Sequence, residues 1–293
     1  MDRILLAARP ITNLYAAPSV ESEVTTQMRY GGQAECLHES GGWIHLRTPD
    51  QYEAWGLREG FVARPPGEVL CHVTALSANL YLEPDVKSRA PILNVPFESV
   101  LELVSETTDR WLEVRLPDGR SAFVHRGDTA PTPALMPLLD AVMGATRFLG
   151  ITYTWGGSST YGFDCSGFVQ MVFRQTGLTV PRDAQAQCLW TGFEQVQRDA
   201  LEPGDVLFFS ESNSAEDVNH VALYLGDVDG ALDGALDGAL DGALGRFIHA
   251  TTTGPHPGVQ FSRLEDEPWR TRLTACCRVR SGLLPGGSVA WRR

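Results

Sequence analysis

Cys165 stands in the run Gly162-Phe163-Asp164-Cys165-Ser166-Gly167-Phe168. A thiol becomes a nucleophile as its thiolate, and thiolate formation is favoured by positive charge nearby. Asp164 is a good helix N-cap, which would place Cys165 in the first turn of a helix. There the unpaired amide donors carry partial positive charge and favour thiolate over thiol. Ser166 and Gly167 keep that turn small, so a substrate backbone can approach. The bland alternative for Cys165 is an inert buried cysteine.

A thiol nucleophile also needs a base. His220 opens the apolar run Asn219-His220-Val221-Ala222-Leu223-Tyr224-Leu225, and His249 lies in Phe247-Ile248-His249-Ala250. On adjacent antiparallel strands two imidazoles can lie side by side. His249 would then bind the far nitrogen of His220 and fix its tautomer. Alone, each histidine reads as a strand residue with its tip in water. The ordered Cys, His, His set points to nucleophilic catalysis. His38, His45, His72, His125 and His256 have no such context.

These side chains require helices followed by strands. Leu135, Leu138, Leu139, Val142, Met143 and Phe148 have helical spacing and predict a first helix. A second is predicted from Cys165 to Gln175, stopped by Gly177, and a third over 183–191. Strands are predicted at Asp205 to Phe209, His220 to Leu225, Arg246 to His249 and Leu273 to Arg280. Helices first and strands later indicate an α+β domain with an antiparallel sheet. Between two of these strands Asp-Gly-Ala-Leu repeats four times, from Asp229 to Leu244. It reads as an exposed loop at a hairpin tip without a catalytic role. The parallel-helix calcium repeats have a longer, nine-residue period.

Upstream, residues 1–130 contain a degenerate repeat. Asn13-Leu14-Tyr15 recurs as Asn79-Leu80-Tyr81, Trp43-Ile44-His45-Leu46 as Trp111-Leu112-Glu113-Val114, and Gly60-Phe61-Val62 as Ala122-Phe123-Val124. Short alternating segments separated by turn residues predict two small all-β barrels, 1–66 and 67–130, resembling bacterial SH3-like domains. Pro131-Thr132-Pro133 reads as the linker to a third domain, 131–285.

The chain of 293 residues has a net charge of −12, which gives it no electrostatic case for nucleic acid or an anionic membrane. Only five apolar residues precede Arg9, too few for a signal-peptide core, and no run of roughly 18 apolar residues could span a bilayer. A cytoplasmic location is therefore expected. The six cysteines are irregularly spaced, with no C-x-x-C zinc pattern, and read as thiols in a reducing compartment; Cys276-Cys277 reads as packing.

Residues 131–285 resemble the NlpC-type cysteine peptidase domain of bacterial cell-wall hydrolases. The resemblance is carried by Tyr153-x-Trp155-Gly156-Gly157, Phe163-Asp164-Cys165-Ser166-Gly167-Phe168, Pro203-Gly204-Asp205-Val206-Leu207-Phe208-Phe209, His220 to Gly226 and Phe247-Ile248-His249-Ala250. It implies a papain-like α+β core and a cofactor-free enzyme with Cys165, His220 and His249 as catalytic residues. With two SH3-like domains in front, the chain is similar to γ-D-glutamyl-L-diamino acid endopeptidases of murein peptide recycling. That likeness implies, as the partner of a monomer, a muropeptide with a free N-terminal L-Ala. Its amine would be held by Asp183 and a tyrosine of the first SH3-like domain, best matched by Tyr52, with Tyr15 and Tyr30 as alternatives. Asp183 would equally serve as N-cap of the third helix. Tyr153, Asp164, Ser166 and Arg182 match residues around the substrate pocket, and Ala184 replaces a serine common in the family. A peptidase-like wall-binding module without activity, and an amidase or acyltransferase on the same dyad, are the competing readings.

Overall fold

The computed structural model describes residues 3–65, 67–106, 108–131, 134–226 and 245–284. The Asp-Gly-Ala-Leu tetrads, Thr132-Pro133 of the linker and the first two residues lie outside the described residues. The chain divides into two units, Met1–Ala134 with Trp155–Gly162, and Leu135–Thr154 with Phe163–Arg293.

The first unit holds two seven-stranded antiparallel sheets. One is built from β1 (Arg3–Ala7), β2 (Ile11–Tyr15), β3 (Val24–Arg29), β4 (Gln33–Ser40), β5 (Trp43–Arg47), β6 (Glu53–Leu57) and β7 (Phe61–Val62). The other is built from β8 (Leu70–Val73), β9 (Ser77–Tyr81), β10 (Leu93–Pro96), β11 (Val100–Glu106), β12 (Trp111–Arg115), β13 (Ser121–His125) and β14 (Thr129–Ala130). Their strand orders, β3-β2-β6-β5-β4-β1-β7 and β10-β9-β13-β12-β11-β8-β14, are the same order shifted by seven strands. In each sheet the alternation of β-strand side chains puts one face inside. Leu14, Ile44, Leu46 and Phe61 fill the first, and Leu80, Val95, Val114 and Val124 the second.

The topology corrects one detail of the repeat. It pairs Ala122–Val124 of β13 with Ala54–Gly56 of β6, and Phe61–Val62 with Thr129–Ala130. The similar Gly-Phe-Val and Ala-Phe-Val strings stand on different strands. A 3-10 turn, Arg58–Gly60 in one copy and Arg126–Asp128 in the other, precedes the closing strand in both. Two further two-residue strands are β15 (Ser158–Ser159) and β16 (Gly162–Phe163).

The second unit is α+β. Its helices are α1 (Leu138–Gly144), α2 (Cys165–Gln175), α3 (Ala184–Cys188) and α4 (Trp269–Arg272). Its strands are β17 (Phe193–Gln195), β18 (Val206–Phe209), β19 (His220–Tyr224), β20 (Arg246–Thr251), β21 (Gly258–Arg263) and β22 (Leu273–Val279). They form one antiparallel sheet, β17-β22-β18-β19-β20-β21. β18 is buried on both faces, as its unbroken Val-Leu-Phe-Phe run requires. One face packs Leu207, Phe209, Tyr224, Phe247 and Trp269 together. Phe208 faces the other way, toward Phe193, which in turn meets Phe173 of α2.

α1 is shorter than its apolar spacing predicts. Pro137 disfavours helix for the residue before it, so Leu135 and Met136 stay outside and exposed, and Ala145–Phe148 tighten into a 3-10 turn. β19 and β20 pair through Leu223 with Ile248 and Tyr224 with Phe247. The strands on either side of the tetrads therefore form the expected hairpin. Among the described residues no helix is long and apolar enough to cross a membrane.

Candidate active site

α2 starts where the sequence says it should. The Asp164 carboxylate accepts a hydrogen bond from the Gly167 amide at 2.7 Å, capping the helix, and Cys165 is its first residue. Behind that turn lies Arg182, 2% exposed. Its guanidinium donates to both Asp164 carboxylate oxygens, at 3.0 and 2.6 Å, and to Ser166 Oγ at 2.9 Å. Arg182, Asp164 and Ser166 are thus joined in one buried network that brackets Cys165. Burial works against the charge on Arg182, and the Asp164 carboxylate outweighs it, holding the guanidinium protonated. Gln187, also buried, extends the network by donating to the Ser166 and Pro181 carbonyls at 3.2 and 2.8 Å.

The Cys165 thiol lies against the backbone of β19 on both sides of His220. Sγ is 4.0 Å from the Asn219 carbonyl oxygen, to which it donates, and it accepts from the Val221 amide. His220 in turn sets Nε2 at 2.7 Å from His249 Nδ1, and His249 Nε2 lies 3.0 Å from Ser262 Oγ. Continuing the β19–β20 register makes the two histidines diagonal neighbours on one sheet face, close enough for long side chains to meet. Trp269 covers both, its ring 5.0 Å from His220 and 4.7 Å from His249. Phe209 lies beside the first and Phe247 beside the second.

Electrostatics here differ from the expectation of a helix-stabilised thiolate. Burial, reinforced by the Asp164 carboxylate, pushes the Cys165 thiol up to about 12, although Arg182 and two amides pull the other way. The helix N-terminus is present, but desolvation of Cys165, a residue 6% exposed, outweighs it. His220 keeps part of its surface open, yet its imidazole is enclosed by aromatic rings. Burial, with a smaller effect from the Arg272 charge, pushes it down to about 3. His249, fully buried, is lowered well below the ordinary imidazole range by burial and by His220. Both shifts favour the uncharged forms, thiol and imidazole.

Of the other anticipated residues, Tyr153 is half-buried, and burial, with Cys165 and Asp164 adding to it, pushes its hydroxyl up. Asp183 is exposed at the N-cap position of α3, where its side chain makes no capping hydrogen bond. In the first unit, Tyr52 packs partly buried on the core of the first sheet, and Tyr30 is 2% exposed within the core of the second. Tyr15 stands edge-on to Trp43 at 5.5 Å. Ser262 and Trp269 were not anticipated from sequence; a serine in a strand and a lone tryptophan carry no signal there. Among the described residues no three His, Cys, Asp or Glu side chains gather as a metal site requires.

Residues 150–278 match the NlpC/P60 family and residues 12–62 the bacterial SH3 domain. The chain is 30% identical over 227 residues to the gamma-D-glutamyl-L-lysine dipeptidyl-peptidase of Bacillus cereus (strain ATCC 10987 / NRS 248), across 70% of this chain and 66% of that protein. That match spans just under two thirds of the relative's own length. The protein of the same name in Bacillus subtilis (strain 168) is 28% identical over 218 residues, 70% of this chain and 71% of its own. The solved structure of an NlpC/P60 family protein from Bacillus cereus ATCC 10987 has the same fold, with a TM-score of 0.74 at 22% identity, covering 94% of this chain and 99% of that one.

Proposed function

We propose, on the match of residues 150–278 to the NlpC/P60 family, that this chain is a cysteine peptidase that cleaves the bond between γ-D-glutamate and the next diamino acid in cell-wall peptides with a free N-terminal L-Ala. The observation that carries the mechanism is the seating of Cys165 Sγ against the backbone on both sides of His220 while His220 Nε2 is engaged by His249. That leaves His220 Nδ1 for the thiol. Because both groups rest neutral, attack and proton transfer are coupled. The Cys165 S–H proton moves to His220 Nδ1 as sulfur bonds to the γ-glutamyl carbonyl carbon. The Cys165 amide and the Tyr153 hydroxyl are the donors available to the oxyanion. The imidazolium then gives its proton to the departing amine as the C–N bond breaks. Water, deprotonated by His220, hydrolyses the thioester and restores the thiol. Each proton transfer of this kind contributes roughly 10²–10⁴-fold.

Asp183 supplies the specificity in this reading. It is an exposed carboxylate one residue from Arg182, the side chain bonded to both neighbours of Cys165. The two Bacillus relatives are named as dipeptidyl-peptidases, and an enzyme that counts residues from the N-terminus must read the amine. An ammonium taken from water needs an anionic partner, which Asp183 provides. We read residues 67–130 as a second SH3-like domain on the strength of the repeated strand order. Six free cysteines suit a reducing compartment such as the cytoplasm, where released wall peptides would be recycled.

The test is release of the diamino acid from L-Ala-γ-D-Glu-L-Lys and from its diaminopimelate counterpart. Turnover should vanish in Cys165→Ala, and KM should rise in Asp183→Asn. Turnover that survives Cys165→Ala overturns the reading. Equal cleavage of an N-acetylated peptide replaces it with an amidase that ignores the N-terminus.

A further inference from the structure

Tyr224 pairs with Phe247, and Phe247 with Ser262, so His220, His249 and Ser262 share one face of three adjacent strands. Ser262 is diagonal to His249, as His220 is on the other side. The result is an unbroken line, His220 Nε2 to His249 Nδ1 at 2.7 Å and His249 Nε2 to Ser262 Oγ at 3.0 Å. His249 is fully buried, so each ring nitrogen depends on these two neighbours for its hydrogen bond. The groups that face the pair are Ser262 from β21 and the rings of Phe209, Phe247 and Trp269, with Arg272 adding positive charge toward His220.

A neutral imidazole holds one proton, which leaves two arrangements of the line. In the first, His249 carries its proton on Nε2 and donates to Ser262 Oγ. Its Nδ1 accepts from His220 Nε2–H, and His220 Nδ1 is free to take the thiol proton. In the second, His249 carries its proton on Nδ1 and donates to His220 Nε2. His220 is then protonated on Nδ1 and cannot act as the base. We propose that Ser262 is a positioning residue that keeps His249, and through it His220, in the first arrangement by accepting the Nε2 proton. Without Oγ the first arrangement buries an unpaired N–H, whereas the second buries only an unpaired lone pair. Orphaned N–H groups are the rarer and less tolerated of the two. The same hydroxyl supports the line when His220 becomes cationic during turnover, since hydrogen bonds in a chain polarise one another.

The inference deepens the peptidase reading and rests on His220 being the base. Its test has two arms. With L-Ala-γ-D-Glu-L-Lys as substrate, Ser262→Ala should lower kcat about 10–100-fold with KM unchanged, from one orphaned buried donor. Ser262→Thr, which keeps Oγ, should return kcat to within a few-fold of wild type. Independently of any substrate, imidazole ¹⁵N shifts in the full chain should show His249 protonated on Nε2 and His220 on Nε2. Both protons should move to Nδ1 in Ser262→Ala and return in Ser262→Thr. Wild-type shifts that place the His249 proton on Nδ1, or a Ser262→Ala spectrum with unchanged tautomers, overturn the proposal. Loss of kcat in Ser262→Thr equal to that in Ser262→Ala does the same. If the peptide is not a substrate, the peptidase reading fails in the first arm while the second still decides the role of Ser262.

Discussion

Replacing Arg182 by methionine removes one half of a buried ion pair and keeps most of its volume. The guanidinium side chain is 1% exposed and the Asp164 side chain 11% exposed, and three hydrogen bonds join it to Asp164 and Ser166. Breaking such a pair by deleting one partner costs about 3–5 kcal/mol, because the remaining charge stays buried without compensation. The loss should be local to the turn that carries Cys165. Hydrogen exchange of the α2 amides, followed by mass spectrometry, should therefore accelerate roughly 150- to 5,000-fold. Arg182→Met combined with Asp164→Asn removes both charges and keeps an N-cap acceptor for Gly167. The double variant should recover at least half of the loss, a coupling of about 2 kcal/mol. In the single variant the Cys165 thiol should rise further, since Arg182 is one of the groups that lower it. Exchange accelerated less than about threefold in Arg182→Met, where about 0.6 kcal/mol is RT, or a double variant no better than the single, would refute the network.

The neutral thiol predicts that iodoacetamide alkylation of Cys165, read on its own peptide, rises about tenfold per pH unit from 7 to 9 without a plateau; a plateau at or below pH 7 would contradict a thiol pushed up to about 12. His220, lowered from 6.5 to about 3 in the folded chain, takes up its proton far more readily when unfolded, so its contribution to stability is complete above pH 6.5 and declines as pH falls toward 3. Thermal melts should show that slope, and His220→Gln should flatten it. Gly258→Ala places a Cβ 2.5 Å from the Ile151 carbonyl oxygen, so the Ile151–Tyr153 segment must shift. A stability loss of about 1–3 kcal/mol should appear as a lower melting temperature; an unchanged melt would show that the backbone there yields freely.

Much of this site could be read from sequence because its parts announce themselves locally. Asp164 before Cys165 and Gly177 after Thr176 fix α2 to the residue, and the apolar runs after Asp205 and His220 fix the two central strands. β21 could not be read. Gly-Val-Gln-Phe-Ser-Arg follows a Gly-Pro-His-Pro stretch and alternates over only Val259 to Ser262, too short a signal beside those prolines; pairing with β20 along its whole length makes it a strand. Ser262 was lost with it. The rise of the Cys165 thiol was hidden from the sequence for a related reason. A sequence shows a helix N-terminus, but Cys165 is buried against the backbone around β19, more than fifty residues along the chain. The repeat misled at Gly60-Phe61-Val62, where similarity of letters crossed from one strand to the next.

Strand order also dictates when each part of the molecule can be finished during synthesis. The first sheet receives its last strand, β7, through Leu6 and Val62, and the second receives β14 through Val73 and Thr129, so both can be complete while most of the chain is still being made. The third sheet is different. Its last strand, β22, is inserted between β17 and β18 and pairs Val279 with Phe193 and Cys277 with Val206. At about 5–20 residues per second, roughly 10–40 s separate the emergence of Val62 from that of Val279. Once Cys165 has emerged, it must wait for His220 and His249, which lie on strands of a sheet that stays incomplete until β22 is made. The nascent chain thus completes its first two sheets early and brings Cys165, His220 and His249 together last.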